Sequence, residues 1–101
     1  MQFIITAYDS TDPDGLARRL EVRPRHLANM QKVKGTGSVV CAGGIMNEEG
    51  KPRGSFLIME FRDRESLDDY LAHEPYVTEH VWQDIRVEPC NVVIKDDEMV
   101  K

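Results

Sequence analysis

Positive charge is in short supply in this chain. Lysine and arginine number 13 against 18 aspartates and glutamates, a net charge of −5. That argues against a general nucleic-acid binder, whose affinity comes from a basic face. The arginines that do cluster (Arg18, Arg19, Arg23, Arg25) sit among acidic neighbours. Long apolar runs are missing too: none approaches the ~20 residues of a membrane-spanning helix. Met1-Gln2-Phe3-Ile4-Ile5 lacks the basic start and long apolar core of a secretory signal. Cysteine is limited to Cys41 and Cys90, both in apolar, strand-like surroundings. They are expected as separate small buried thiols in a reducing compartment, so a cytoplasmic protein without a disulfide is the expectation. No cysteine pair or His-Glu-x-x-His spacing offers a metal site, and no serine sits in a nucleophile elbow.

What is present is a soluble domain. At 101 residues, 41% hydrophobic and 31% charged, the chain can bury one core without covalent staples and is too apolar for disorder. Gln2 to Tyr8 reads as a strand, with Phe3, Ile5 and Ala7 on one face and Ile4, Thr6 and Tyr8 on the other. Asp9 to Gly15 is a turn cluster whose Asp-x-Asp-Gly core lacks the later glutamate of a calcium loop. Leu16, Leu20, Leu27 and Met30 recur at helical spacing, with Val22, His26, Met30 and Val33 as an adjoining stripe. His26 thus falls at the border of the buried face. Pro24 interrupts this pattern. Inside a helix proline costs ~3 kcal/mol, whereas at the first helical position it costs almost nothing. The expectation is a short helical turn over Leu16 to Val22, then a fresh helix from Pro24 to about Lys34. His26 would lie in its first turn, near the positive end of the dipole. Gly35-Thr36-Gly37 supplies the stop.

Ser38 to Ala42 is a short strand ending at Gly43-Gly44, a pair that makes either a bend or a close approach for a backbone or ligand. Asn47 to Pro52 is a hairpin loop. Gly54 to Phe61 is the clearest strand, with Ser55, Leu57, Met59 and Phe61 alternating against Phe56, Ile58 and Glu60. Asp63-Arg64-Glu65-Ser66 opens a helix that His73-Glu74-Pro75-Tyr76 breaks, and Tyr76 to His80 forms a short turn. Trp82 to Ile94 reads as a long strand with Ile85, Val87 and Val93 on one side, and Pro89 points to an edge or bulge. Residues 1–94 form the single domain and 95–101 a polar C-terminal tail.

The order β-α-β-β-α-β is the split βαβ, ferredoxin-like α+β arrangement: a four-stranded antiparallel sheet with helices on one face. The bare face should be polar, yet the first and third strands carry apolar groups on both faces. At ~25 cal/mol per Å², leaving Phe56 and Ile58 in water forfeits several kcal/mol. A two-fold homodimer packed sheet to sheet, an α/β-barrel dimer, removes that cost.

Histidine titrates near neutral pH and serves as acid or base when a carboxylate orients its second nitrogen. His26 is the candidate, with Glu74 and Asp9 as orienting carboxylates. Both helices lie on one sheet face, so Glu74 can approach His26. A packed structural histidine is the other reading of the same residues. His73, Glu74, Glu79 and His80 form a ligand-rich stretch, but Pro75 breaks the spacing that would align them, so no metal is expected. Tyr76 and Trp82 read as core or dimer-interface aromatics. No cofactor is implied.

Ala7-Tyr8-Asp9, Arg23-Pro24-Arg25-His26-Leu27, Ala42-Gly43-Gly44 and Glu74-Pro75-Tyr76-Val77, in this order across residues 1–94, resemble the YciI-like (YCII-related) proteins. The resemblance implies a dimeric ferredoxin-like α/β barrel whose pocket pairs a histidine with an aspartate, and a few members are dehydrochlorinases acting on chlorinated hydroxyquinols. His26 takes the histidine position. Glu74 stands where the family usually has aspartate before Pro-Tyr, one methylene longer, and a displacement of ~1 Å at such a group can cost ~100-fold in rate. The resemblance therefore implies a small dimer that uses His26 and Glu74 for cofactor-free proton transfer, of lyase, dehydrochlorinase or isomerase type, on a small polar or aromatic molecule. Asp9, Arg23, Gly43 and Tyr76 would line the pocket, Arg23 favouring an anionic group. A non-catalytic small-ligand-binding dimer, and a muconolactone-isomerase-like or monooxygenase-like relative on the same architecture, are the alternatives. Fold alone does not choose among them.

Overall fold

Strand β1 (Gln2–Asp9) buries Phe3, Ile5 and Ala7 on one side and leaves Ile4, Thr6 and Tyr8 half-buried on the other. The computed structural model describes residues 1–33, 37–95 and 98–99. In it β1 is central, flanked by β3 (Pro52–Phe61) and β4 (Trp82–Cys90), with β2 (Gly37–Met46) on the far side of β3. All the pairings are antiparallel, in the order β2-β3-β1-β4. Helices α1 (Gly15–Gln31), α2 (Arg64–His73) and α3 (Pro75–Thr78) complete the ferredoxin-like α+β fold. On β3, Ser55, Leu57, Met59 and Phe61 are buried, and the core closes over them with Val22, Leu67, Tyr70, Tyr76 and Trp82. Pro89 lies on the edge strand β4, where its missing N–H costs least.

Three expectations about the first helical region need correcting. Helix α1 runs unbroken from Gly15 to Gln31 with Pro24 inside it, so His26 sits well inside the helix and not beside a free N-terminus. The reason is packing. Gly15, Arg19, Val22 and His26 are buried on both sides of Pro24, whereas Pro24 itself faces solvent. The ~3 kcal/mol of an interior proline is outweighed by burial that a broken helix would forfeit. That same stripe replaces the leucine one: Leu16 and Leu20 are 38% and 57% exposed. The expected helix end at Lys34 and the stop at Gly35-Thr36 lie outside the described residues, and Gly37 begins β2.

Gly43-Gly44 does not end the second strand but lies within it. A Cβ at Gly43 would sit 2.7 Å from the ring of Phe56, its cross-strand partner. Cys41 is exposed, not buried, because it lies on edge strand β2 on the sheet face turned away from the core. Cys90 is on the opposite edge, and both are free thiols. Strand β4 stops at Cys90, and Ile94–Lys95 (β5) pairs with Glu98–Met99 (β6) where a plain tail was expected. On the outer sheet face Ile58 is half-buried and Phe56 remains 36% exposed. Among the described residues no helix is long and apolar enough to cross a membrane.

Candidate active site

Glu74 is positioned by two helix ends. Asp63 caps the start of α2 by accepting from Ser66 N–H at 2.8 Å. At the far end Glu74 leaves the helix in an extended conformation, and Pro75 opens α3 at a first-turn position, where proline fits. Glu74 then caps α3, its Oε1 accepting from Tyr76 N–H at 3.1 Å. This turn carries the side chain inward, to complete burial. Oε1 lies 2.5 Å from Nδ1 of His26, while Oε2 accepts from Asn29 Nδ2 and from Tyr70 O–H, both at 2.8 Å. The carboxylate thus meets four donors, about as many as its oxygens can accept. The methylene that distinguishes glutamate from aspartate does not take the carboxylate away from His26.

Burial alone pushes the Glu74 carboxyl up. The hydrogen bond and charge of His26, with the Tyr76 N–H and Asn29, outweigh it and hold the group below the usual carboxylate range. Burial, followed by the charge and hydrogen bond of Glu74, pushes the Tyr70 phenol far above its ordinary value, so Tyr70 remains a donor. With Nδ1 engaged, Nε2 is the free nitrogen of His26 and makes no hydrogen bond among the described residues. The ring stacks on Tyr76 at 3.9 Å and 10°, with Trp82 edge-on at 5.7 Å.

A second polar cluster adjoins the first. The β1–β4 register shifts between Tyr8 and Asp9, so that Asp9 pairs with Trp82 rather than Gln83. This bulge turns Trp82 to the buried side. Arg19 Nη1 donates to both Asp9 oxygens at 2.8 and 3.0 Å, and Nη2 donates to Ser55 Oγ at 2.9 Å. Trp82 Nε1 donates to the same Ser55 oxygen at 3.1 Å. Burial pushes the Asp9 carboxyl up, and Arg19 only partly opposes it. Tyr76 joins the clusters: it stacks on His26, and the Arg19 guanidinium carbon lies 5.0 Å from its ring centre. Burial raises the Tyr76 phenol against the charges of Arg19 and Arg23.

His26, Glu74, Tyr76 and Asp9 are therefore brought together. Arg23 is exposed and reaches the cluster only through its charge near Tyr76. Gly43 pairs with Phe56 on the other sheet face, and Gly44, opposite Ser55, is the glycine beside Arg19. His73 and His80 are exposed, and among the described residues no three His, Cys, Asp or Glu side chains gather as metal ligands. A groove of about 730 Å³ is lined by residues including Asn29, Phe61, Ser66 and Tyr70, and by none of His26, Glu74, Asp9 and Tyr76. Sequence reasoning missed Arg19, Ser55, Asn29 and Tyr70. Ser55 carried a usable signal, as the one polar residue on the apolar face of its strand, where burial demands a partner.

The chain matches the family description "YCII-related domain" over residues 1–91. It is 34% identical over 99 residues to Protein YciI of Escherichia coli, covering 92% of this chain and 99% of that one. Among solved structures it resembles 5-chloro-2-hydroxyhydroquinone dehydrochlorinase from Burkholderia phenoliruptrix in complex with 2,5-dihydroxybenzoquinone. The TM-score is 0.76 at 23% identity, covering 90% of this chain and 94% of that one. It also resembles a dimeric ferredoxin-like protein of unknown function from Jannaschia, with a TM-score of 0.55 at 14% identity and coverage of 90% and 98%. At these identities the structural likenesses establish the fold.

Proposed function

Because the chain belongs to the YCII-related domain family, we propose that it is a cofactor-free proton-transfer enzyme of lyase type acting on a small polar or aromatic molecule. The observation that carries this reading is the 2.5 Å contact between His26 Nδ1 and the fully buried, four-donor carboxylate of Glu74. Glu74 holds the Nδ1–H tautomer and stabilises the imidazolium that forms when Nε2 accepts a proton. The proton comes from a substrate O–H or C–H. The electron pair it leaves moves into the carbon framework, and the leaving group departs with its bonding pair. Dehydrochlorination is one such reaction, and the likeness to a dehydrochlorinase with a bound quinone supports it as the first reaction to try. On this reading the substrate meets Tyr76 stacked on His26 and Asp9 held by Arg19, with Gly43 on the opposite sheet face and the exposed Arg23 near Tyr76. The enzyme works in the cytoplasm as a homodimer packed through the outer sheet face.

Chloride release from 5-chloro-2-hydroxyhydroquinone, followed for the wild type, His26→Gln and Glu74→Gln, tests the proposal. Turnover should be lost in His26→Gln while circular dichroism stays native. Glu74→Gln should lower turnover by ~100-fold or more, as when a histidine loses its orienting carboxylate. Retained turnover in His26→Gln overturns the assignment, and altered affinity without turnover in any form makes the protein a small-ligand binder.

A further inference from the structure

The hydroxyl of Ser55 has a hydrogen left over. Its oxygen accepts from Arg19 Nη2 and from Trp82 Nε1, which uses both lone pairs. Its own proton has no acceptor among the described residues, although Ser55 is only 2% exposed. The hydroxyl can therefore turn its proton to an acceptor brought beside Arg19. Arg19 offers donors beside it. A guanidinium carries five N–H hydrogens, and Asp9 occupies only the Nη1 side. Keeping this buried ion pair costs desolvation that an apolar pair would avoid.

Gly44 supplies the approach. It is paired with Ser55 across β2 and β3, and it is exposed. A Cβ there would project to 3.9 Å from Arg19 Nη2 and 3.6 Å from Met46 Sδ. Those are ordinary contacts, so packing does not require the glycine, unlike Gly43 beneath Phe56. His26 lies seven residues further along α1, ~10 Å by helical rise, and Tyr76 touches both.

We propose that Ser55 O–H and Arg19 Nη2 together bind one oxygen of an anionic group on the substrate, a carboxylate or phenolate, reached past Gly44. This rests on the proton-transfer reading, since it places the remainder of the molecule towards His26. Asp9 is the positioning residue that holds the guanidinium in place.

Trp82 is the single tryptophan of the chain and donates to the same serine oxygen, so its fluorescence reports on this spot. Benzoate is the probe and benzamide its neutral counterpart. Saturable change is expected with benzoate, with benzamide binding at least ~10-fold more weakly, the usual scale of a charge-assisted hydrogen bond. Ser55→Ala and Gly44→Val should each weaken benzoate by ~10- to 100-fold; Ser55→Ala, which takes the acceptor from Arg19 Nη2 and Trp82 Nε1, should also lower the melting temperature, whereas Gly44→Val should leave it near that of the wild type, and Ser55→Thr should restore binding. Equal binding of benzamide, no saturable response to benzoate, or undiminished binding in Gly44→Val overturns the anchor. The two readings fail separately: benzoate binding in His26→Gln survives the loss of the proton-transfer reading, and chloride release without any benzoate response leaves that reading standing alone.

Discussion

His26 and Glu74, 48 positions apart, meet with Nδ1 and Oε1 at 2.5 Å, and the same Oε1 accepts the backbone N–H that starts α3. One carboxylate therefore orients the histidine and caps a helix. Its remaining oxygen is clamped by Asn29 and Tyr70.

The titration of Glu74 should expose this pairing. Burial raises the group and His26 leads what holds it below its ordinary value of 4.5. His26→Gln should therefore move Glu74 upward, read by carbon-13 NMR of its carboxyl. A carboxyl whose folded value is depressed stabilises the fold above its unfolded value, and that stability is lost as pH falls through the folded value. Denaturant unfolding of the wild type should weaken below about pH 4.5, with a shallower acid slope in Glu74→Gln. An unmoved Glu74 in His26→Gln breaks the pair.

Shortening the side chain by one methylene should harm this protein. In Glu74→Asp the carboxylate retreats from half-buried Asn29 and buried Tyr70, leaving both donors wanting. The loss expected is ~1–3 kcal/mol of stability for each unsatisfied group, with turnover down ~100-fold from misplacement at His26. Thermal melts and chloride release check the two effects, and unchanged values for both refute the clamp.

The Asp9–Arg19 pair is buried on both sides, each side chain 8% exposed. Asp9→Ala should cost ~3–5 kcal/mol, because a buried guanidinium loses its charge partner. The double variant Asp9→Leu with Arg19→Met should recover most of that, since apolar replacements of buried pairs are tolerated. Urea midpoints of the two variants decide it, and a double variant no better than the single contradicts the electrostatic account.

For the outer sheet face, sedimentation of the wild type at micromolar concentration should give the mass of a dimer. Phe56→Arg, at a residue 36% exposed beside half-buried Ile58, should give a monomer with a native spectrum. A monomeric wild type rules the sheet pairing out.

Strand periodicity was legible because a period of two tolerates little ambiguity. Phe3, Ile5 and Ala7, with Ser55, Leu57, Met59 and Phe61, fall on the buried side as the alternation requires. Helix α1 was harder. Local chemistry at Pro24 favours a break, and only tertiary burial of Arg19, Val22 and His26 along the helix overrides it. The same burial hid Arg19, since a charged residue on a core stripe looks solvated until Asp9 and Ser55 are seen around it. Trp82 shares a face with Asp9 only through the bulge, which shifts a register that simple alternation cannot foresee. The His26–Glu74 contact was legible as a topological allowance. Its four-donor satisfaction was not, because Asn29 and Tyr70 reach it from two different helices.

The distribution of these groups along the chain bears on when the site comes into being. His26 waits for Glu74, Arg19 for Ser55 36 positions later, and Ser55 for Trp82 a further 27. Contacts this distant form only after large loops have closed. During synthesis a chain that stops short of Trp82 cannot assemble these contacts, so the two polar clusters are complete only once β4 has been made.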